Sequence, residues 1–491
     1  MFAPVCGLLL CCCVLFAFVV VLVHRHNDKT HICRTTGVDL DLTLLGKLIN
    51  FLGSLYFRVT GKHLLRLNVK KMCDARNVEK ELELLTSEWG SPSPMISADV
   101  QALTKREKLY YEQFDALINH PAGMWSPVGR IFLYATFSEQ MENRRKIFQH
   151  ARDQPAVLQG KGIDGRNRLL IIAGLHRSGT SLLQNLLCLD PRSRTTRTWE
   201  MMQTIPPSKN VEETMNGSRA HKLDASFDKI DLFCRKWREN FHKVHYFTAQ
   251  GPEEDVIVLF DMFVIWYYSY FLHDLAPELN GMLMERKDVI CRFLHLYLKV
   301  MESGYKPESH WVLKNPDSCH YLPELLDEFP EANVIVSHRH PNSVVPSWAN
   351  MMLQCLHVRL YNDFSKWFPQ CDVMKPANWG RACMAQSSAE AKHLLQARDE
   401  IRASSPEKEE RILDISYSAL TSDPIQVVRE IYEHFGYEFT DEYHSLLRDY
   451  MAANPKGKHG KVSYSLDDYN LSQDIIAEEF SAYIAKYSKF F

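Results

Sequence analysis

A chain of 491 residues with 46% hydrophobic content can bury a large core and exceeds an ordinary single domain. Its 57 Lys and Arg against 60 Asp and Glu leave a formal charge of −3, which excludes a general nucleic-acid binder built on overall basicity. The 13 cysteines form no zinc spacing and no disulfide framework, and there is no internal repeat or long low-complexity tract.

Phe2 to Val23 is almost purely apolar and carries no charge. About 20 residues at roughly 1.5 Å each span a bilayer core of about 30 Å, so residues 2–23 are expected to be a single-pass transmembrane anchor. A cleaved signal peptide fits less well, because no basic stretch precedes the run and no A-x-A-like site follows it. His24, Arg25, His26 and Lys29 lie just after the run, and by the positive-inside rule they direct the rest of the chain to the cytosol. Two glycosylation sequons, at Asn216 and Asn470, leave the opposite orientation open. Residues 24–160 read as a helical membrane-proximal region. Its apolar positions between 40 and 72 suit an amphipathic helix lying on a membrane or, more commonly, on the domain itself. Residues 75–150 continue as helices with a break at Gly90-Ser91-Pro92-Ser93-Pro94.

From Arg168 onward short apolar runs alternate with helical stretches. The expected fold class is therefore α/β, a P-loop-like parallel sheet flanked by helices, over residues 161–491. The run Leu169 to Ala173 leads into Gly174-Leu175-His176-Arg177-Ser178-Gly179-Thr180-Ser181 and then an apolar helix. Strand, glycine-bounded loop and helix N-terminus together make a phosphate cradle. A nucleotide triphosphatase loop needs Lys after its second glycine, whereas here Thr180 holds that place and the cation is Arg177. The cradle is kept for a different phosphorylated donor. A second apolar strand, Asn333 to His338, delivers Arg339, and Ser347 follows eight residues later. Arg411 to Tyr417 reads as a late strand, and Lys456-Gly457-Lys458-His459-Gly460-Lys461 as a basic, glycine-rich loop.

These motifs resemble the sulfotransferases that use 3′-phosphoadenosine-5′-phosphosulfate (PAPS). Their donor loop reads roughly P-[KR]-S-G-T-[ST], which Arg177 to Ser181 matches, with His176 in place of the stiff proline. The resemblance covers about residues 165 to 491 and is nearest to the broad group found in bacteria and some animals. It implies that His176, Arg177, Ser178, Gly179, Thr180 and Ser181 hold the 5′-phosphate, that Arg339 and Ser347 hold the 3′-phosphate, and that Lys456, Gly457 and Lys458 close over the donor. Membrane-bound animal relatives are usually Golgi enzymes facing the lumen, against the direction that the flanking charges give.

Sulfuryl transfer makes the same demands as phosphoryl transfer: in-line attack, and cations where negative charge builds. Arg177 and Lys314, at the end of the run Trp311-Val312-Leu313, are the expected catalytic cations. The Lys-x-x-His of cytosolic relatives is absent, since the chain reads Lys314-Asn315-Pro316-Asp317. Other branches place a glutamate after the donor loop and its helix, which makes Glu200, beside Trp199, the expected general base. Glu253, Glu254, His242 and His245 are its rivals. Gly251 to Asp255 also serves as the acidic start of a helix through the apolar run Val256 to Phe271. No metal is expected. The acceptor is a hydroxyl or amine of a glycan, lipid or small molecule. The competing readings are a P-loop kinase and an inactive, membrane-tethered nucleotide-binding protein.

Overall fold

The computed structural model describes residues 42–90, 93–120, 125–159, 163–265, 271, 278–360, 375–455, 457–458 and 463–491. Five strands, β1 (Leu169–Gly174), β2 (Arg194–Thr195), β3 (Trp311–Lys314), β4 (Asn333–His338) and β5 (Ile412–Ser416), form one sheet in the order β2-β3-β1-β4-β5. All pairings are parallel, with Leu169 opposite Trp311 and Leu170 opposite Asn333. The continuous apolar runs fit this placement, because a parallel strand is covered on both faces and has no polar side to show.

Alternate residues of each strand enter two cores. Leu170, Ile172, Val312 and Ile335 meet Leu183 and Leu187 of the helix that follows the glycine loop, together with Val428 and Ile431. Leu169, Ile171, Ala173, Leu313, Val334 and Val336 belong to the larger core on the other face. The helices used below are α1 (Leu44–Thr60), α2 (Val100–Ile118), α3 (Pro127–Asp153), α4 (Thr180–Leu187), α5 (Trp237–Val244), α6 (Lys287–Glu302), α7 (Pro341–Leu360), α8 (Pro376–Ser404) and α9 (Asp441–Ala453). Phe114 of α2 and Ile147 and Phe148 of α3 lie in the larger core with the sheet.

The expected helix from Val256 to Phe271 is shorter than its apolar pattern suggests. It ends at Phe260, and Phe263 takes a left-handed φ of 56° that turns the chain into the core. There the Phe263 ring meets Tyr111, Phe114 and Phe137. The aromatics at 266–270 lie outside the described residues, as do the expected anchor at 2–23 and Lys456. Among the described residues no helix is long and apolar enough to cross a membrane.

Candidate active site

Both motif loops leave the sheet at the carboxyl ends of their strands, β1 and β4, which are neighbours. This is where open parallel sheets bind ligands. Gly174 is required by contact: a Cβ there would stand 2.4 Å from the Ser337 carbonyl oxygen, and its φ is 124°. Ser337 Oγ donates to the Ser178 carbonyl at 2.6 Å, and Ser178 Oγ donates to that of Leu175 at 2.6 Å. The fully buried Ser178 thus holds the loop from behind. Gly179 caps α4 with a φ of 92°, and no side chain bonds the first amides of that helix.

The loop forms one wall of a cleft of about 540 Å³, a size suited to a nucleotide-like ligand. The cleft is lined by His176, Arg177, Gly179, Thr180, Ser181, Arg339, Gly457 and Lys458, so most of the expected donor-site residues share one surface. Arg177 adopts a left-handed φ of 66°, which turns its side chain across the cleft. Its Nε donates to Ser347 Oγ at 3.1 Å and its Nη2 to the Val244 carbonyl at 3.0 Å. Burial draws the Arg177 pKa down, a cost that a bound phosphate would offset. Arg339 lies with its guanidinium 4.3 Å from the Tyr417 ring centroid, and its Nη1 donates to the Arg177 carbonyl at 2.8 Å. Ser347, only 2% exposed, also accepts from Tyr464 Oη at 3.0 Å. Arg177, Arg339, Ser347, Tyr417 and Tyr464 therefore form one connected group. Tyr417 follows β5 directly, a position from which a strand end reaches a ligand. Tyr464 carries no such local signal.

Lys314 is fully buried at the end of β3. Its Nζ donates to Glu254 Oε1 at 2.7 Å and to Ser181 Oγ at 3.3 Å, and lies 3.5 Å from Glu253 Oε1. Its ammonium thus sits beside the first turn of α4. Glu253 Oε2 meets His245 Nε2 at 2.6 Å. Burial would raise the Glu253 pKa, but His245 and Lys314 outweigh it and hold the carboxyl below its ordinary value. In the tautomer that donates to Glu253 from Nε2, Nδ1 is the acceptor nitrogen of the His245 ring. His245 and Glu254 both line the cleft, as does His242.

His176 stands where a proline would stiffen the loop, and packing does that work here. Its ring stacks on Trp348 with centroids 4.0 Å apart, its Nδ1 meets Glu390 Oε1 at 2.8 Å, and its Nε2 lies 3.7 Å from Asp317 Oδ1. Burial would lower the imidazole pKa, but Glu390 and Asp317 outweigh it and raise it to about 9. The three ligating groups lie within 4.8 Å of one another, close enough for a metal ion, and the 2.8 Å contact pairs His176 with Glu390.

Glu200 is not at the cleft. It is 1% exposed, and its Oε1 accepts from Arg194 Nη2 at 3.0 Å and from Ser208 Oγ at 2.9 Å. Arg194 itself lies between the rings of Tyr305 and Trp311, at 3.7 and 4.6 Å. Glu200 balances that buried guanidinium, whereas Glu253, Glu254 and the two histidines stand at or beside the cleft.

A glycine-bounded anion cradle at parallel strand ends, with two arginines and a lysine gathered around it, defines an enzyme that transfers a group from a phosphorylated donor. A model of the sulfotransferase family matches residues 170–441, more than half of the chain, and the chain belongs to that family. It transfers sulfuryl groups. Among solved structures it is similar to the sulfotransferase STF9 from Mycobacterium avium, at 23% identity and a TM-score of 0.64, covering 83% of this chain and 96% of that one. It is also similar to the sulfotransferase STF1 from Mycobacterium tuberculosis, at 20% identity and a TM-score of 0.59, covering 84% of this chain and 100% of that one. These likenesses establish the sulfotransferase fold. A search of curated protein sequences finds no match.

Proposed function

We propose that the donor is PAPS and that the sulfuryl group passes to a hydroxyl or amine of the acceptor, releasing adenosine 3′,5′-bisphosphate. The observation that carries this reading is the bonded pair Arg177 and Arg339, which presents two cations on one cleft wall. The loop amides, Thr180, Ser181 and Arg177 would take the 5′-phosphate, and Arg339 with Ser347 the 3′-phosphate. Lys314, next to Ser181, would stabilise the oxygens that gain charge as the sulfur–oxygen bond breaks. His245, oriented by Glu253, would accept the proton from the attacking group at Nδ1.

Arg339→Ala removes a charge-assisted contact worth roughly 1.5–3 kcal/mol. Affinity for adenosine 3′,5′-bisphosphate should fall about 10- to 150-fold, and affinity for adenosine 5′-monophosphate should hold. Titrating both nucleotides by calorimetry checks this, and equal losses for the two would remove the 3′-phosphate assignment. Sulfate transfer from labelled PAPS to an acceptor panel separates the enzyme from an inactive nucleotide binder.

We infer further that residues 2–23 anchor the enzyme in an endomembrane, and the glycosylation state of the catalytic domain reports the side on which it lies. Both sequon asparagines, Asn216 and Asn470, are exposed and open to modification. A mass shift sensitive to glycosidase in the protein made in animal cells would rule out a cytosolic catalytic domain. Digestion of that domain by protease added outside sealed microsomes would place it in the cytosol.

A further inference from the structure

Residues 43–73 contain no Asp or Glu, yet they carry Lys47, Arg58, Lys62, Arg66, Lys70 and Lys71. Within this stretch α1 runs from its N-cap Thr43 to the left-handed Gly61. It packs on the protein mainly through small and polar residues. Gly46, Asn50, Gly53 and Ser54 are buried together with Phe51, and Ile49 packs beside them. A Cβ on Gly46 would stand 2.5 Å from the Phe233 carbonyl oxygen, and one on Gly53 would stand 2.5 Å from Pro127. Asn50 Oδ1 accepts from the Val128 amide at 3.1 Å.

The leucines point the other way. Leu45, Leu48, Leu52, Leu55 and Val59 follow one another at three- and four-residue steps, so they form a single stripe. Leu45 is 45% exposed, Leu52 50%, Leu55 40% and Val59 76%. In the segment after the helix, Leu64 and Leu65 are exposed as well. A helix serving only the core would turn its leucines inward and its Gly, Asn and Ser outward. This one packs its small and polar residues on the protein, with Phe51 and Ile49 at the margins, and turns its leucine stripe outward.

We propose that this face rests on a lipid bilayer bearing anionic headgroups, with α1 in the plane of the interface. Every charged residue from 43 to 73 is a cation, which suits an anionic surface and opposes a second copy of the same all-basic segment. On the helix, Lys47 and Arg58 share one flank of the leucine stripe, where long basic side chains reach headgroups while their neighbours enter the acyl boundary. Only 20 residues, 24–43, separate α1 from the uncharged run ending at Val23, a tether of at most about 70 Å. The surface stands on α1 itself and holds whether or not that run crosses the bilayer. The catalytic cleft would then work at a fixed orientation to the membrane.

Full-length protein carrying Leu52→Trp, in phosphatidylcholine–phosphatidylserine vesicles, tests the proposal. Leu446→Trp, at a 37% exposed position on α9, is the control; both sites are open, so neither change disturbs packing. An interfacial helix lies about 5–10 Å into the headgroup–acyl boundary, within reach of lipids brominated high on the acyl chain. Emission added by Leu52→Trp should fall by roughly half or more in brominated vesicles, and that added by Leu446→Trp should not. Unchanged emission from Leu52→Trp overturns the proposal. So does protection from acrylamide without bromine quenching, which would mean that protein, and not lipid, covers the face.

Discussion

His245→Gln is expected to lower kcat by about 100-fold or more, the ordinary scale for losing a general base, while adenosine 3′,5′-bisphosphate binds as before. Glutamine keeps an N–H donor for Glu253, whose Oε2 lies 2.6 Å from His245 Nε2, so the pocket stays satisfied and only the proton acceptor is lost. Glu254→Gln is the comparison. Glu254 also lines the cleft, but its Oε1 already takes a hydrogen bond from Lys314 at 2.7 Å, so that oxygen is occupied. Steady-state rates of both variants, normalised to sites titrated with the bisphosphate, decide between them. A larger kcat loss in Glu254→Gln would move the base to that carboxylate.

Glu200→Gln is expected to act on stability and not on turnover. Arg194 is 4% exposed, and among the described residues Glu200 supplies its carboxylate contact, at 3.0 Å. Removing one partner of a buried ion pair leaves a charge in a low-dielectric interior, at a cost of about 3–5 kcal/mol. Urea unfolding should show the loss, with kcat per titrated site near the parent value. A collapse of kcat in a variant of parental stability would return Glu200 to the chemistry.

The contrast between Glu200 and His245 shows where sequence stops informing. The strands β1, β3, β4 and β5 are legible because uninterrupted apolar runs between turns leave few other options. The cradle is legible because glycines, a cation and small hydroxyl residues fall within eight positions. Arg177 and Arg339 are legible for the same reason, since each sits at the end of such a strand. The pairing of Glu200 with Arg194 is not legible, because Arg194 ends a stretch that gives no hint of burial; the two-residue strand β2 that carries it is too short to show a pattern. Glu390 meets His176 across 214 positions and Tyr464 meets Ser347 across 117, separations at which only the folded chain pairs residues. The outward leucines of α1 have the same spacing as inward ones, so periodicity finds the helix and not the side it shows.

The Arg177 guanidinium bridges two walls of the cleft: Ser347 on α7, and the Val244 carbonyl at the end of α5. The residue after Val244 is His245. The proposed donor phosphate and the Val244 carbonyl thus draw on the same guanidinium, and the peptide on which the proposed base is mounted is tied to the donor loop by a single hydrogen bond from Arg177.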